Sequence, residues 1–218
     1  MKIAILGAEC TGKTQLAQAL HRQLAATHPA IRLISEYLRE WCDRQGRTPR
    51  AEEQRHIAQT QMQRVNAHAP STLVLSDTAP LMTAIYSDLV FGDTSLYTEA
   101  VAQHRAFALT LVTGLDLPWV ADGIQRDGVA MRARVDQRLR EILLQHGMAF
   151  SMVYGQGAAR CQSALQAIGY AMGTPPPEAQ RSRWKWPCEK CSDPQCEHRL
   201  FSALLQSKSG TASVPPQG

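Results

Sequence analysis

Gly7-Ala8-Glu9-Cys10-Thr11-Gly12-Lys13-Thr14 follows the apolar run Lys2-Ile3-Ala4-Ile5-Leu6 and precedes a segment in which Leu16, Leu20 and Leu24 recur at helical spacing. The pattern is G-x-x-x-x-G-K-[ST], set between a strand and a helix as such a loop requires. Two glycines let the backbone curl until successive N–H groups face one point, and the positive end of the following helix faces the same way. A phosphate chain fits that concavity. Gly7, Ala8, Glu9, Cys10, Thr11, Gly12, Lys13, Thr14 and Gln15 are therefore the expected nucleotide-binding stretch, with Lys13 reaching the outer phosphates. The Thr14 hydroxyl would be one ligand of a Mg²⁺ that keeps most of its waters. Cys10 reads as a small loop residue rather than a reactive thiol.

The remaining chain supports one sizeable α/β domain. Its 218 residues are 44% apolar, enough for a substantial core. Short apolar runs alternate with helical patterns: Ile3 to Leu6, Ile31 to Ile34, Leu73 to Leu75, Leu109 to Val112 and Phe150 to Val153. That alternation predicts a three-layer α/β/α fold around a five-stranded parallel sheet, spanning 1–172. Between the strands the helices are expected from Lys13 to about Ala26, from the Ser35 region to a stop at Gly46, and over Ala51 to His68. The last of these is a partly solvated helix with Thr48 as cap and Pro49 in its first turn. Two helices about Gly92, one from Val129 to His146 and one from about Ala158 to Ala171 complete the set. The Gly/Asp/Pro-rich stretch from Thr113 to Gly128 reads as a loop or lid. Residues 173–183 read as a linker, 184–205 as a possible metal knuckle, and 206–218 as a disordered tail.

Charge and composition narrow the function. A net charge of +4 is too mild to argue for nucleic acid, and no run of 18 apolar residues suggests a membrane span. The N-terminus lacks the apolar segment of a secretory signal, so a cytoplasmic protein is expected.

In open parallel sheets, side chains at the carboxyl ends of strands face the ligand. Three acids fall there: Glu36, Asp77 and Asp122. Asp77 ends its strand where it could hold the Mg²⁺ of Thr14, directly or through a water. Glu36 is placed to act as general base toward an acceptor hydroxyl. Arg39, one turn on, could hold that carboxylate or a phosphate. Arg126 in the lid is a candidate for charge developing on the transferred phosphoryl group, whereas Arg132 and Arg134 read as a solvated helix face. Trp119, with Tyr86 and Tyr97, could stack on a flat ring.

Four separated pieces then resemble one family. They are Leu6 to Thr14, Ile34-Ser35-Glu36-Tyr37-Leu38-Arg39-Glu40-Trp41, Leu75 to Gly92, and Phe107 to Gly128. Together, and in this order, they resemble the NadR-type ribosylnicotinamide kinase domain. The resemblance implies ATP-dependent phosphorylation of the 5′-hydroxyl of nicotinamide riboside, with Glu36 or Asp77 beside that hydroxyl. It also implies that Tyr37, Trp119 and Asp122 belong to the acceptor site. Two departures accompany it. Members with a regulatory role carry an adenylyltransferase domain, and often a DNA-binding domain, ahead of the kinase, whereas this sequence opens on the kinase segment. In the lid, Gln125 intervenes before Arg126. A nucleotide-dependent switch or regulatory ATPase that acts on a protein partner through its tail is the second reading. A pure switch would have no need of Glu36 and the lid.

Cys188, Cys191, Cys196 and His198 lie at C-x2-C-x4-C-x-H spacing. Three thiolates and an imidazole suit tetrahedral Zn²⁺, and a cluster of this kind in a cytosolic chain points to metal rather than disulfides. Trp184, Trp186 and Phe201 could dock such a knuckle on the domain or on a partner. Metal analysis of protein prepared under reducing, chelator-free conditions should find about one zinc per chain, lost in the double variant Cys188→Ser, Cys191→Ser. Zinc-free wild-type protein would end the assignment.

Overall fold

The computed structural model describes residues 1–119 and 129–174. The segment 120–128, with Asp122 and Arg126, and everything from 175 onward lie outside the described residues. The linker, the Cys188, Cys191, Cys196, His198 cluster and the tail expectation fall there too.

Five strands, β1 (Lys2–Leu6), β2 (Arg32–Ile34), β3 (Val74–Asp77), β4 (Leu109–Thr113) and β5 (Ser151–Val153), form one sheet in the order β2-β3-β1-β4-β5. Every pairing is parallel. Each strand sits within two residues of its expected position. The helices are α1 (Lys13–Leu24), α2 (Tyr37–Gln45), α3 (Ala51–Asn66), α4 (Pro80–Phe91), α5 (Tyr97–His104), α6 (Val129–Gln145) and α7 (Gly157–Ala171).

The strand sequences are apolar without alternation because both faces are covered. Ile3 and Ile5 point into a core shared with Leu16 and Leu20 of α1 and Ala164 and Ile168 of α7. Ala4 and Leu6 point the other way, into a core with Met62 and Val65 of α3, Leu81 and Ile85 of α4, and Leu139 and Leu143 of α6. The result is the expected α/β/α sandwich. α4 packs against α3, α5 and α6, and is buried along most of its length. Pro80 opens it, and Gly92, at φ 70°, closes it.

Register fixes where the loops emerge. β1 lies between β3 and β4, with Ile5 opposite Asp77 and Leu6 opposite Val112. The connection from β1 leads to one side of the sheet and that from β3 crosses to the other. The loop after β1 therefore opens into the crevice between them.

One helix start differs from expectation. Thr48 and Pro49 lie in the connection, and α3 begins at Ala51 with Arg50 extended before it. Glu53 decides this. Its Oε2 accepts the Arg50 N–H at 2.7 Å, and Arg47 grips both its oxygens at 2.8 and 2.7 Å while lying over the Trp41 ring at 4.9 Å. The cap thus comes from a glutamate in the first turn rather than from Thr48.

His104, on α5, is 2% exposed, with Nε2 2.9 Å from Thr110 Oγ1 and its ring 5.2 Å from that of Phe107. Burial lowers its pKa to about 4. The unfolded chain takes up this proton near pH 6.5 and the native chain refuses it until about pH 4. Its contribution to stability is therefore full above pH 6.5 and is lost as the pH falls to 4, by up to about 3 kcal/mol. Urea midpoints should drop across that window in the wild type, and the slope should flatten in His104→Gln. An unchanged slope would refute the assignment.

Candidate active site

The loop from Gly7 to Gly12 turns through three residues of positive φ: Gly7 at 147°, Cys10 at 55° and Gly12 at 73°. Its interior hydrogen bonds run backward, toward the sheet. Thr11 Oγ1 donates to Ala8 O at 2.7 Å, and Lys13 Nζ donates to the same oxygen at 2.8 Å. Behind them, Thr113 Oγ1 at the end of β4 stands 2.7 Å from Thr11 Oγ1 and 3.1 Å from Leu6 O. Gly7 is required by this approach: a Cβ there would lie 2.1 Å from Thr113 Oγ1. At Gly12 a Cβ would meet the Leu117 side chain at 2.9 Å.

Leu117 is held in turn. Arg132, from α6, donates to Leu115 O at 3.2 Å and to Leu117 O at 2.7 Å, and is 5% exposed. The solvated-face reading of Arg132 is therefore corrected. Its guanidinium is buried because the segment after β4 turns its carbonyls inward, which the helix's own sequence could not indicate. Arg134 is exposed as expected.

Above the loop opens a crevice of about 1130 Å³. Gly7 and Glu9 to Gln15 line one end; Glu36, Arg39, Arg47, Gln54, Tyr86 and Pro118 are among the residues lining the rest. Ala8 is fully buried beneath it. Glu36 is the residue before α2, with a side chain 20% exposed and Oε2 3.9 Å from Arg39 Nε. Burial raises its pKa, helped by the nearby Asp77 charge, against the opposing pull of Lys13 and Arg39. Asp77, 3% exposed, sits just behind the lining; burial raises its pKa too, while a hydrogen bond from Thr14 and the Lys13 charge lower it. Two carboxylates and a lysine thus meet at the loop's mouth.

Asp77 Oδ1 is buried without a hydrogen-bond partner among the described residues, and the carboxylate's other contact is the Thr14 hydroxyl. A hydroxyl and a carboxylate with an unused lone pair are the oxygen ligands a Mg²⁺ accepts, the remainder being water and phosphate. The residues fit that ion. No group of three or more His, Cys, Asp or Glu able to hold a metal occurs among the described residues.

Three aromatic expectations are placed differently. Tyr37 is 7% exposed and lies behind the crevice wall, with the guanidinium carbons of Arg64 at 4.6 Å and Arg44 at 5.3 Å from its ring centre. Tyr97 donates to Asp88 Oδ2 at 2.8 Å, away from the lining. Trp119 is half-buried and also outside the lining, whereas Tyr86 lines it. Rings on one side of the sheet need not point the same way, so composition could not sort them.

Two features escaped the sequence reading. Gln61 of α3 accepts the Tyr37 N–H at 2.8 Å and donates to Ser76 Oγ at 3.2 Å, tying α2 to β3 and so Glu36 to Asp77. Thr78 adopts φ 82°, a strained conformation for a β-branched residue. Its N–H donates to Ile5 O at 3.0 Å and its carbonyl accepts from Ser76 Oγ at 2.6 Å, which hold it there. The Asp77-Thr78 pair at a strand end was the available signal.

A parallel five-stranded sheet, a glycine-lysine-threonine loop and a deep crevice at the strand ends define a P-loop kinase-like fold. Residues 2–160 match the AAA domain family, and the chain belongs to it. No curated protein matches the chain. Among solved structures, a NadR protein in complex with NR is similar at 18% identity and TM-score 0.62, over 79% of this chain and 51% of that one. A NadR protein in complex with NAD and AMP-PNP is similar at 18% identity and TM-score 0.59, over 84% and 51%. A deoxyadenosine kinase from M. mycoides with products dCMP and dCDP gives 14% identity and TM-score 0.53, over 80% and 100%. The chain spans about half the length of the two NadR chains. At these identities the likeness establishes the fold.

Gly7→Ala should lower the free energy of unfolding by about 2–5 kcal/mol, combining overpacking with backbone strain. Removing the obstructing hydroxyl in Gly7→Ala, Thr113→Ala should recover part of it. Equal urea midpoints for wild type and Gly7→Ala would show that the close approach does not constrain the loop.

Proposed function

We propose that this chain is an ATP-dependent small-molecule kinase whose acceptor is a nucleoside such as nicotinamide riboside. The observation that carries this reading is Glu36: a carboxylate on the crevice wall, off the phosphate loop, whose pKa is raised by burial. A raised pKa brings a carboxylate closer to the operating pH and makes it a better proton acceptor. The crevice, at about 1130 Å³, exceeds the usual span for one drug-sized ligand and has room for nucleotide and acceptor together. The NadR structure in complex with NR supports the choice of acceptor at the level of a shared fold.

In this reading the loop amides and Lys13 hold the triphosphate, and Thr14 with Asp77 would hold Mg²⁺. That ion would supply charge neutralisation on the phosphate oxygens. The acceptor hydroxyl lies between Glu36 and the outermost phosphorus. As its oxygen bonds to phosphorus, its proton passes to the Glu36 carboxylate, the bond to the bridging oxygen breaks, and ADP leaves. Asp77, tied to Thr14 and almost wholly buried, serves the metal rather than the hydroxyl. Arg39 sets the Glu36 carboxylate or meets a phosphate. Asp122 and Arg126 remain proposed members of the acceptor and transfer machinery, residues 1–172 the proposed catalytic domain, and the zinc knuckle a proposed accessory.

Purified protein with MgATP and a panel of nucleosides should release ADP only with its acceptor, nicotinamide riboside first among those tried. Release indifferent to every nucleoside would favour a regulatory ATPase. Glu36→Gln should slow phosphoryl transfer by about 100- to 10,000-fold while the Kd for MgATP stays within about threefold. Equal losses in both would make Glu36 a structural residue.

A further inference from the structure

A loop that binds phosphate through its backbone must first orient that backbone. In a trans peptide the C=O of one residue and the N–H of the next point to opposite sides. A carbonyl held against the protein therefore commits the following amide to the open side. Ala8 O is held by Thr11 and Lys13, which turns the Glu9 amide outward. The matching constraint on the Gly12 amide comes from far away in sequence. Thr11 O accepts from Arg160 Nη2 at 2.8 Å.

Arg160 sits in the first turn of α7, 4% exposed. Its Nη1 donates to Gly155 O at 2.8 Å and to Asp116 Oδ1 at 3.1 Å. Asp116 Oδ2 accepts the Gly155 N–H at 2.6 Å, and Gly155 takes φ 93° to offer it. One guanidinium thus joins the loop after β1 to the segments after β4 and β5. A buried cation is costly to desolvate, and this one is kept a single peptide unit behind the crevice lining.

We propose that Arg160 is a positioning residue for the nucleotide's phosphates. By fixing Thr11 O, with Asp116 fixing Arg160, it presets the Gly12 amide toward the phosphate chain and adds positive charge behind it. The inference rests on the nucleotide-binding part of the proposed function and is independent of the acceptor. Lysine cannot replace it, because one ammonium on a flexible stem cannot span Thr11, Gly155 and Asp116 in a fixed fork.

Calorimetric titration with MgATP and, separately, with nicotinamide riboside as the acceptor tests this on wild type, Arg160→Lys, Arg160→Gln and Asp116→Asn, each checked for folding by circular dichroism. Arg160→Gln should raise the Kd for MgATP by about 10- to 100-fold, the loss of one charge-assisted hydrogen bond. Arg160→Lys should fall between it and the wild type, and Asp116→Asn, which leaves the arginine but loosens its anchor, should also raise it. Acceptor affinity should stay within about twofold. A folded Arg160→Gln protein with wild-type MgATP affinity overturns the proposal, as does an equal loss of nucleotide and acceptor binding, which marks a general packing role. Should both Arg160 variants fail to fold, Asp116→Asn decides by the same two criteria. Wild-type protein without affinity for MgATP removes the nucleotide reading and this inference together.

Discussion

Carbonyl groups turned away from the crevice are the constraint on which the site depends. A phosphate loop has no side chain that alone defines it; its ligands are N–H groups, and their direction is whatever the opposite ends of the same peptides permit. Here those opposite ends are taken by Thr11 Oγ1, Lys13 Nζ and Arg160 Nη2. Thr113 closes the chain from the sheet side so tightly that the first loop residue has room for no Cβ. Three donors hold these carbonyls without a nucleotide present, which lowers the ordering cost that binding must offset.

Charge is arranged around that frame in two tiers. Lys13, Arg39 and Glu36 line the crevice with Asp77 just behind them, while Arg132 and Arg160 work from behind through main-chain carbonyls. Without ligand, burial favours the neutral form of both carboxylates in the front tier. In the proposed reaction a polyanion entering with a divalent cation would alter this: the cation would favour the ionised form of Asp77, and Lys13 would exchange Ala8 O for phosphate. The rear tier needs no change of partner, which suits a framework.

Strain is concentrated where this chemistry is expected. Cys10 at φ 55° and Thr78 at φ 82° are the described non-glycine residues with positive φ, and both line the crevice. Each would relax if its neighbours allowed it. At Thr78 the neighbours are a β1 carbonyl and the Ser76 hydroxyl, the latter already joined through Gln61 to the start of α2. The wall that carries Glu36 and the strand that carries Asp77 are therefore parts of one hydrogen-bonded unit, although the two residues are far apart in the chain.

The sequence alone makes legible the phosphate loop, the five strands, their alternation with helices, and the positions of Glu36 and Asp77 at strand ends, because each rests on local information: glycine placement, apolar periodicity, and the residue that follows a strand. It missed the start of α3, where a glutamate gripped by Arg47 outbid Thr48 as the cap. It also misjudged Arg132, and left Arg160 unread as the one charged residue of α7. Tyr37 and Tyr97 were legible as aromatics, but not as the packing residues they are. The two arginine failures share one cause. Whether an arginine is solvated or holds a carbonyl depends on which backbone faces it, and those partners lie as far as 149 residues away. Only the folding of β4, β5 and α7 around β1 brings them together, so only the tertiary structure could assign them.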